Sequence, residues 1–164
     1  MLNPKTSKRL IEAGLDQINI SFDGATAETF EKLRPGANFA QICKGLEALT
    51  AAKRALNSSL PRITFRANCL KENFEEMPGI VSIAREMQID EVRIQSLIEI
   101  KGTKLATKEQ LPSQIDQGSL IKMVETLQRM KTEPGAELHI DRALLKLAQE
   151  ATNKGKNSGD SATG

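Results

Sequence analysis

Residues Ile18–Gly24, read Ile-Asn-Ile-Ser-Phe-Asp-Gly, alternate without a break. Ile18, Ile20 and Phe22 fall on one face of an extended chain, and Asn19, Ser21 and Asp23 on the other. A period of two is the signature of a strand whose two faces meet different surroundings. The pattern returns at Ile63–Leu70, where Thr64, Arg66 and Asn68 oppose Ile63, Phe65, Ala67 and Cys69. It returns again at Glu91–Leu97, where Arg93 and Gln95 oppose Val92, Ile94 and Ser96. Helical spacing of apolar residues separates these segments, so the order predicts βαβ crossovers and a parallel sheet. A parallel sheet covered on both sides is apolar on both faces, and these strands each keep one polar face. The pattern therefore predicts an α/β fold whose sheet curves around a polar cavity with helices only outside. That is a partial (βα) barrel of about three parallel strands, spanning residues 1–150, with 151–164 as a disordered tail.

The connecting elements follow from local signals. A helix is expected over 4–14, capped at Thr6 or Ser7 and ended by Gly14. Thr26 is expected to cap a short helix through Leu33, which Arg34-Pro35-Gly36 breaks. A longer helix runs from about Phe39 to Leu56 on Phe39, Ile42, Leu46, Leu49 and Ala52. Asn73, with Glu76 three residues later, reads as a helix start, and Pro78 holds the regular part back to about Glu76. Residues 99–118 read as a long loop and about 119–131 as a helix. Glu137–Ile140 has the makings of a short strand, and Asp141 of a cap for a last helix. From Thr152 the chain carries too little apolar surface to offset ordering entropy.

Composition removes several classes of function. The net charge is +2, with 23 basic and 21 acidic residues, no Trp or Tyr and only 5 Phe. A nucleic-acid binder needs a basic face with stacking aromatics, so nucleic acid is not an expected partner. No apolar run reaches the ~20 residues that span a bilayer, and the first residues lack a signal-peptide pattern. The expectation is a cytoplasmic protein with no membrane contact. Cys43 and Cys69, the only cysteines, are expected as reduced, buried thiols. With one His, His139, a protein-only zinc site and a Ser-His-Asp triad both lack their parts.

The polar positions form the candidate site: Asn19, Ser21 and Asp23, then Thr64, Arg66 and Asn68, with Arg93 and Gln95 beside them. Hydroxyls, amides, one carboxylate and two guanidiniums suit a ligand carrying ribose hydroxyls and a carboxylate, because Arg grips a carboxylate with two parallel hydrogen bonds. At any single position, mutual satisfaction of neighbouring polar groups explains the residue equally well; three strands with the same alternation favour a ligand cavity.

The run from Leu10 to Gly24, Leu-Ile-Glu-Ala-Gly-Leu-Asp-Gln-Ile-Asn-Ile-Ser-Phe-Asp-Gly, is followed by Thr-x-x-Thr-Phe-Glu-Lys-Leu-Arg-Pro-Gly and Phe39. With the strand Ile63–Leu70, Lys71-Glu72-Asn73, Glu76 and Ile83-Ala84-Arg85-Glu86-Met87 leading to Val92, it resembles the radical S-adenosylmethionine enzymes over about residues 8–100. The resemblance implies a partial (βα)6 barrel, with a 4Fe–4S cluster held by Cys-x-x-x-Cys-x-x-Cys after the first strand. It implies reductive cleavage of S-adenosylmethionine to a radical that attacks a peptide or small-molecule substrate. It also implies that Ser21, Arg66 and Asn68 help hold S-adenosylmethionine, and that Asp23 matches the Asp of the strand-end motif.

The chain contains no Cys-x-x-x-Cys-x-x-Cys. It resembles the C-terminal half of such a core, with the cluster loop and the third strand expected ahead of Met1. The 4Fe–4S cluster is then expected only in a full-length parent, and the chain alone is expected to be inactive. A second reading is a non-enzymatic half-barrel that binds or assembles, self-associating through its exposed sheet edge. A third, a small hydrolase or lyase, lacks a convincing nucleophile.

Overall fold

The computed structural model describes residues 2–96 and 108–159. Within them the chain runs α1 (Pro4–Glu12), β1 (Gln17–Ser21), α2 (Ala27–Leu33), α3 (Phe39–Ala55), β2 (Arg62–Cys69), α4 (Met77–Glu86), β3 (Glu91–Ser96), α5 (Gln117–Lys131), β4 (Glu137–Ile140) and α6 (Arg142–Gly159). The four strands form one sheet in the order β1-β2-β3-β4, and every neighbouring pair is parallel. The architecture is the expected one, a parallel sheet flanked by helices as in a partial (βα) barrel, with four strands rather than about three. Glu137–Ile140 is the fourth, paired along Glu91–Ile94.

Register keeps the two faces apart across the whole sheet. Asn19 pairs with Thr64, Ser21 with Arg66, Arg66 with Arg93 and Asn68 with Gln95, so the polar residues share one face. On the other face, Ile63, Phe65, Ala67, Cys69, Val92 and Ile94 are buried with Leu46, Leu49, Ile80, Val81, Leu127 and Leu144 in one core. Four of the five phenylalanines gather there. Phe22 stacks on Phe65 at 4.3 Å and touches Phe30 and Phe39 at 5.2 and 5.7 Å. Phe22 was expected inside and is fully buried, but Ile18 and Ile20, expected under helices, are only half-buried. The reason is position: β1 is an edge strand, and no strand of the described chain lies beyond it.

Several boundaries differ from expectation because the caps differ. Asn3, not Thr6 or Ser7, caps α1, its Oδ1 accepting from the Thr6 N–H at 3.0 Å. Thr26 caps α2 as expected, and Asn38 caps α3. Gly24 is required by close approach: a Cβ there would sit 2.5 Å from the Phe30 nitrogen. Of the loop expected over 99–118, residues 99–107 lie outside the described residues, as does Leu97 at the end of the third expected strand. Short 3-10 turns occupy Lys108–Gln110 and Pro112–Gln114. Asp116 then starts α5 two residues earlier than its apolar stripe indicates. The last helix continues to Gly159, past position 151 where composition places a tail; residues 160–164 lie outside the described residues. No helix among the described residues is long and apolar enough to cross a membrane.

Candidate functional site

The open face of the sheet is built by alternation alone. From β1 it takes Asn19 and Ser21, from β2 Thr64, Arg66 and Asn68, from β3 Glu91, Arg93 and Gln95, and from β4 Glu137 and His139. Five of the six residues expected to bind a cofactor lie here, in two tiers. Ser21, Arg66 and Asn68 form the tier toward the C-terminal strand ends, where Ser21 and Arg66 are exposed register partners. The Arg66 guanidinium makes one long hydrogen bond, from Nη2 to Gln95 Oε1 at 3.4 Å. Among the described residues it has no carboxylate partner. The lower tier is engaged within itself. Gln17 Nε2 donates to Asn19 Oδ1 at 3.2 Å and to Thr64 Oγ1 at 3.4 Å, and fully buried Thr64 donates onward to Glu91 Oε2 at 3.2 Å.

Asp23 departs from the alternation. β1 ends at Ser21, and Asp23 lies past it, 5 % exposed. Its Oδ1 accepts from the Asn68 N–H at 2.7 Å, and its Oδ2 meets Arg34 Nη2 at 2.5 Å. Both oxygens are thus committed inside the protein, so Asp23 shapes the strand ends and does not face the open surface. Beside it, Asn73 is 1 % exposed and joins three backbone groups. Its Nδ2 donates to Asp23 O at 2.7 Å and Asn68 O at 2.9 Å, while its Oδ1 accepts from Leu70 N–H at 2.8 Å. Asn73 stands at the expected helix start, ahead of the 3-10 turn Phe74–Glu76 that leads into α4, but its side chain makes no capping hydrogen bond. Glu76 instead reaches the start of α2. There it accepts from Ala25 N–H at 2.6 Å, Thr26 N–H at 3.1 Å, Thr26 Oγ1 at 3.2 Å and the Thr29 hydroxyl. A carboxylate at a helix N-terminus is favoured by unpaired N–H groups and by the helix dipole.

The sequence reading also left out an ionic cluster toward β4. Glu91 is 2 % exposed. Its Oε1 lies 2.6 Å from Arg93 Nε, an ion pair in distance, and 3.2 Å from His139 Nε2, neither with hydrogen-bond directionality. Arg62 Nη2 donates to Glu137 Oε2 at 2.6 Å, and His139 Nε2 lies 2.9 Å from Glu137 Oε1. Continuing the strand alternation two residues back from Arg93 places Glu91 on this face, and the spacing Glu137, His139 does the same for β4. The signal was present in both strands.

At the end of this cluster a shallow cavity of about 150 Å³ is lined by Arg93, Gln95, His139 and Asp141. Burial raises the affinity of Asp141 for a proton, but hydrogen bonds from the Ala143 N–H and from the Ser96 hydroxyl and N–H outweigh it and hold the carboxyl below its ordinary value. A depressed folded pKa gives stability that is present above the unfolded pKa of about 3.9 and lost as pH falls through the folded value. Wild type is therefore expected to lose stability relative to Asp141→Asn as pH drops below about 4. Parallel acid melts of the two proteins refute this role for Asp141 if their difference stays constant from pH 6 to pH 3.

Neither cysteine is placed to hold an iron–sulfur cluster. Cys69 is fully buried on the apolar face, where burial pushes its thiol up to about 12. Cys43 lies half-buried on α3, not fully buried as expected, and burial, then Glu47, raises its pKa too. A cluster needs thiolates converging on one point, and these two thiols sit on separate elements with the protonated form favoured. Among the described residues no three His, Cys, Asp or Glu side chains are grouped to hold a metal ion.

No protein-family model matches the chain. Part of it is similar to GTP 3′,8-cyclases. That of Pseudomonas putida is 33% identical over 88 residues, covering 53% of this chain and 25% of the relative. That of Clostridium acetobutylicum is 32% identical over 110 residues, covering 66% and 32%. That of Chlorobaculum tepidum is 34% identical over 80 residues, covering 47% and 22%. This similarity supports a relationship to the radical S-adenosylmethionine superfamily. It supports nothing finer, because the chain spans a third or less of the length of the curated relatives it matches.

Proposed function

We propose that the upper tier of the open sheet face is a shelf for S-adenosylmethionine, in a protein whose complete form carries out radical chemistry. The observation that carries the reading is the pair Ser21–Arg66: an exposed guanidinium without a carboxylate partner among the described residues, opposite a hydroxyl on the neighbouring strand. Arg66 suits the methionyl carboxylate through its two-pronged fork. Ser21 and Asn68 suit ribose hydroxyls, with Asn19 and Thr64 supporting them from the lower tier and Asp23 fixing the strand ends. Bound S-adenosylmethionine would supply a 5′-deoxyadenosyl radical, with methionine leaving, once one electron from a reduced cluster held elsewhere broke its S–C5′ bond. What this chain contributes is binding and orientation. The substrate, a peptide or a small molecule, would approach the same open face.

Equilibrium dialysis with labelled S-adenosylmethionine tests the shelf. Saturable retention, competed by S-adenosylhomocysteine, is expected; retention no greater than that of an unrelated protein overturns it. A separate expectation concerns iron. After anaerobic reconstitution with iron and sulfide, the chain should show no 4Fe–4S absorbance and no stoichiometric iron, since it cannot bring enough thiolates to one cluster. Stoichiometric iron and sulfide on the purified chain would sink that expectation.

A further inference from the structure

The N-terminal ends of β2 and β3 border a cavity of about 500 Å³, whose lining includes Lys53, Arg54, Asn57, Ser59, Gln88 and Asp90. Two connections build it, one from the end of α3 to the start of β2 and one from the end of α4 to the start of β3. It therefore lies at the opposite end of the sheet from Ser21, Arg66 and Asn68. Free carbonyls at a helix C-terminus ordinarily disfavour an anion. Here the last carbonyls are engaged. Ala52, Arg54 and Lys53 O accept from the Leu56, Asn57 and Ser58 N–H groups, and Ile83, Arg85 and Ala84 O from those of Met87, Gln88 and Ile89. Asn57 and Gln88, at φ 49° and 58°, take the left-handed position that closes each helix this way. What the cavity offers instead is donors. Lys53 is 9 % exposed, and its Nζ donates to Asp90 Oδ2 at 2.9 Å. An ammonium carries three N–H groups, and this is the one bond it makes among the described residues. Asp90 Oδ2 also accepts from the Ile63 N–H at 2.7 Å, which fixes the carboxylate in place. Arg54 is exposed, and it and the side chains of Asn57, Ser59 and Gln88 make no hydrogen bond or ion pair among the described residues. Two cations thus share one carboxylate, and unused donors outnumber unused acceptors.

We propose that this cavity binds a small phosphorylated polyol, at a site separate from the shelf. A phosphate brings several acceptor oxygens and up to two negative charges to a place rich in donors. The planar fork of Arg54 fits two of its oxygens, and the remaining Lys53 hydrogens meet a third. A carboxylate, with two oxygens, would leave more of these donors unused. The cavity is larger than a phosphate, and the rest of its lining suits hydroxyl groups. Asp90 Oδ1 takes no hydrogen bond among the described residues and can accept from a hydroxyl. The amides of Asn57 and Gln88 can both donate and accept. In (βα) barrels the chemistry sits at the C-terminal strand ends, so a ligand here is bound and not transformed. It ties the α3–β2 connection to the α4–β3 connection, and it binds whether or not the shelf holds S-adenosylmethionine.

Titration of the isotope-labelled 164-residue chain with ribose 5-phosphate, followed by amide NMR, tests the site. Saturable shifts are expected at Asn57, Ser58, Ser59 and Gln88, and none at Ser21 or Arg66. Ribose at the same concentrations should move none of them, and inorganic phosphate should move the same amides but saturate at higher concentration. Arg54→Gln, an exposed change that leaves the Lys53–Asp90 pair intact, should raise the ribose 5-phosphate midpoint roughly tenfold, near the low end for a hydrogen bond to a charged group. Ser59→Asp, which sets a negative charge against the phosphate, should raise it at least as much and gives a second variant should the first not fold. Unsaturable shifts, an equal response to ribose, shifts confined to Ser21 and Arg66, or an unchanged midpoint in the folded variants each overturn the proposal. Equal midpoints for inorganic phosphate and ribose 5-phosphate overturn the role given to the polyol. S-adenosylmethionine is absent from every arm, so failure here leaves the shelf standing.

Discussion

Asn73→Ala is expected to destabilise the protein by about 3 kcal/mol, the largest effect of any single polar side chain near the strand ends. The side chain makes three hydrogen bonds to backbone groups of Leu70, Asp23 and Asn68, all within 2.9 Å, at a position 1 % exposed. Its removal leaves a buried N–H and two carbonyls without their partner, and each unsatisfied group costs about 1–3 kcal/mol. For a chain of this size the change corresponds to a fall in Tm of roughly 6–12 °C. Asn73→Asp separates hydrogen bonding from volume. It keeps the acceptor for Leu70 but loses both donors and sets a negative charge against two carbonyl oxygens, so it should be at least as damaging as alanine. Urea denaturation of both variants is the measurement. A loss under about 1 kcal/mol for Asn73→Ala, less than one unsatisfied buried group should cost, would remove Asn73 from its place as the tie between β1 and β2.

That tie also marks the limit of what the sequence makes legible. Strand alternation is a local property, and it alone places Asn19, Ser21, Thr64, Arg66 and Asn68 on one face, as the register of the sheet does. The same rule, carried two residues back from Arg93 and on to β4, includes Glu91 and His139. It fails at Asp23 because the strand ends at Ser21, and past a strand end the side chain follows the turn, here toward Arg34 and the Asn68 amide. The role of Glu76 has no local signal, and that of Asn73 only part of one. Asn73 bonds Leu70 and Asn68 close by, but its third bond, to Asp23 O, and all the side-chain bonds of Glu76 reach about 50 residues away, to the end of β1 and the start of α2. Tertiary contact competes with the local cap and wins, because one Glu76 carboxylate meets two N–H groups and two hydroxyls at once. The half-buried state of Ile18 and Ile20 was equally hidden: alternation says which face a residue takes, and only sheet order says how completely that face is covered.

In a barrel with both walls present, Arg66→Ala should weaken S-adenosylmethionine binding by roughly 1.5–3 kcal/mol, the usual worth of a hydrogen bond to a charged group. This corresponds to at least a tenfold rise in Kd. The expected size follows from the surroundings of Arg66. Its guanidinium is exposed, carries only the 3.4 Å contact to Gln95, and sits opposite Arg93, a like charge on the neighbouring strand. Two guanidiniums opposed on adjacent strands repel. Arg93 is offset by Glu91 at 2.6 Å, and a ligand carboxylate would do the same for Arg66. Arg66→Lys should recover only part of the loss, since an ammonium keeps the charge but not the planar two-pronged fit. In an isolated half, with one wall of the site exposed to water and salt, the same substitutions should have much smaller effects, because exposed charge interactions are screened. Calorimetric titration of wild type, Arg66→Ala and Arg66→Lys tests the role directly. Equal affinities for wild type and Arg66→Ala in the two-walled form would show that Arg66 does not clamp the carboxylate. A loss confined to high-salt buffer would contradict the electrostatic origin, since screening can only shrink the difference.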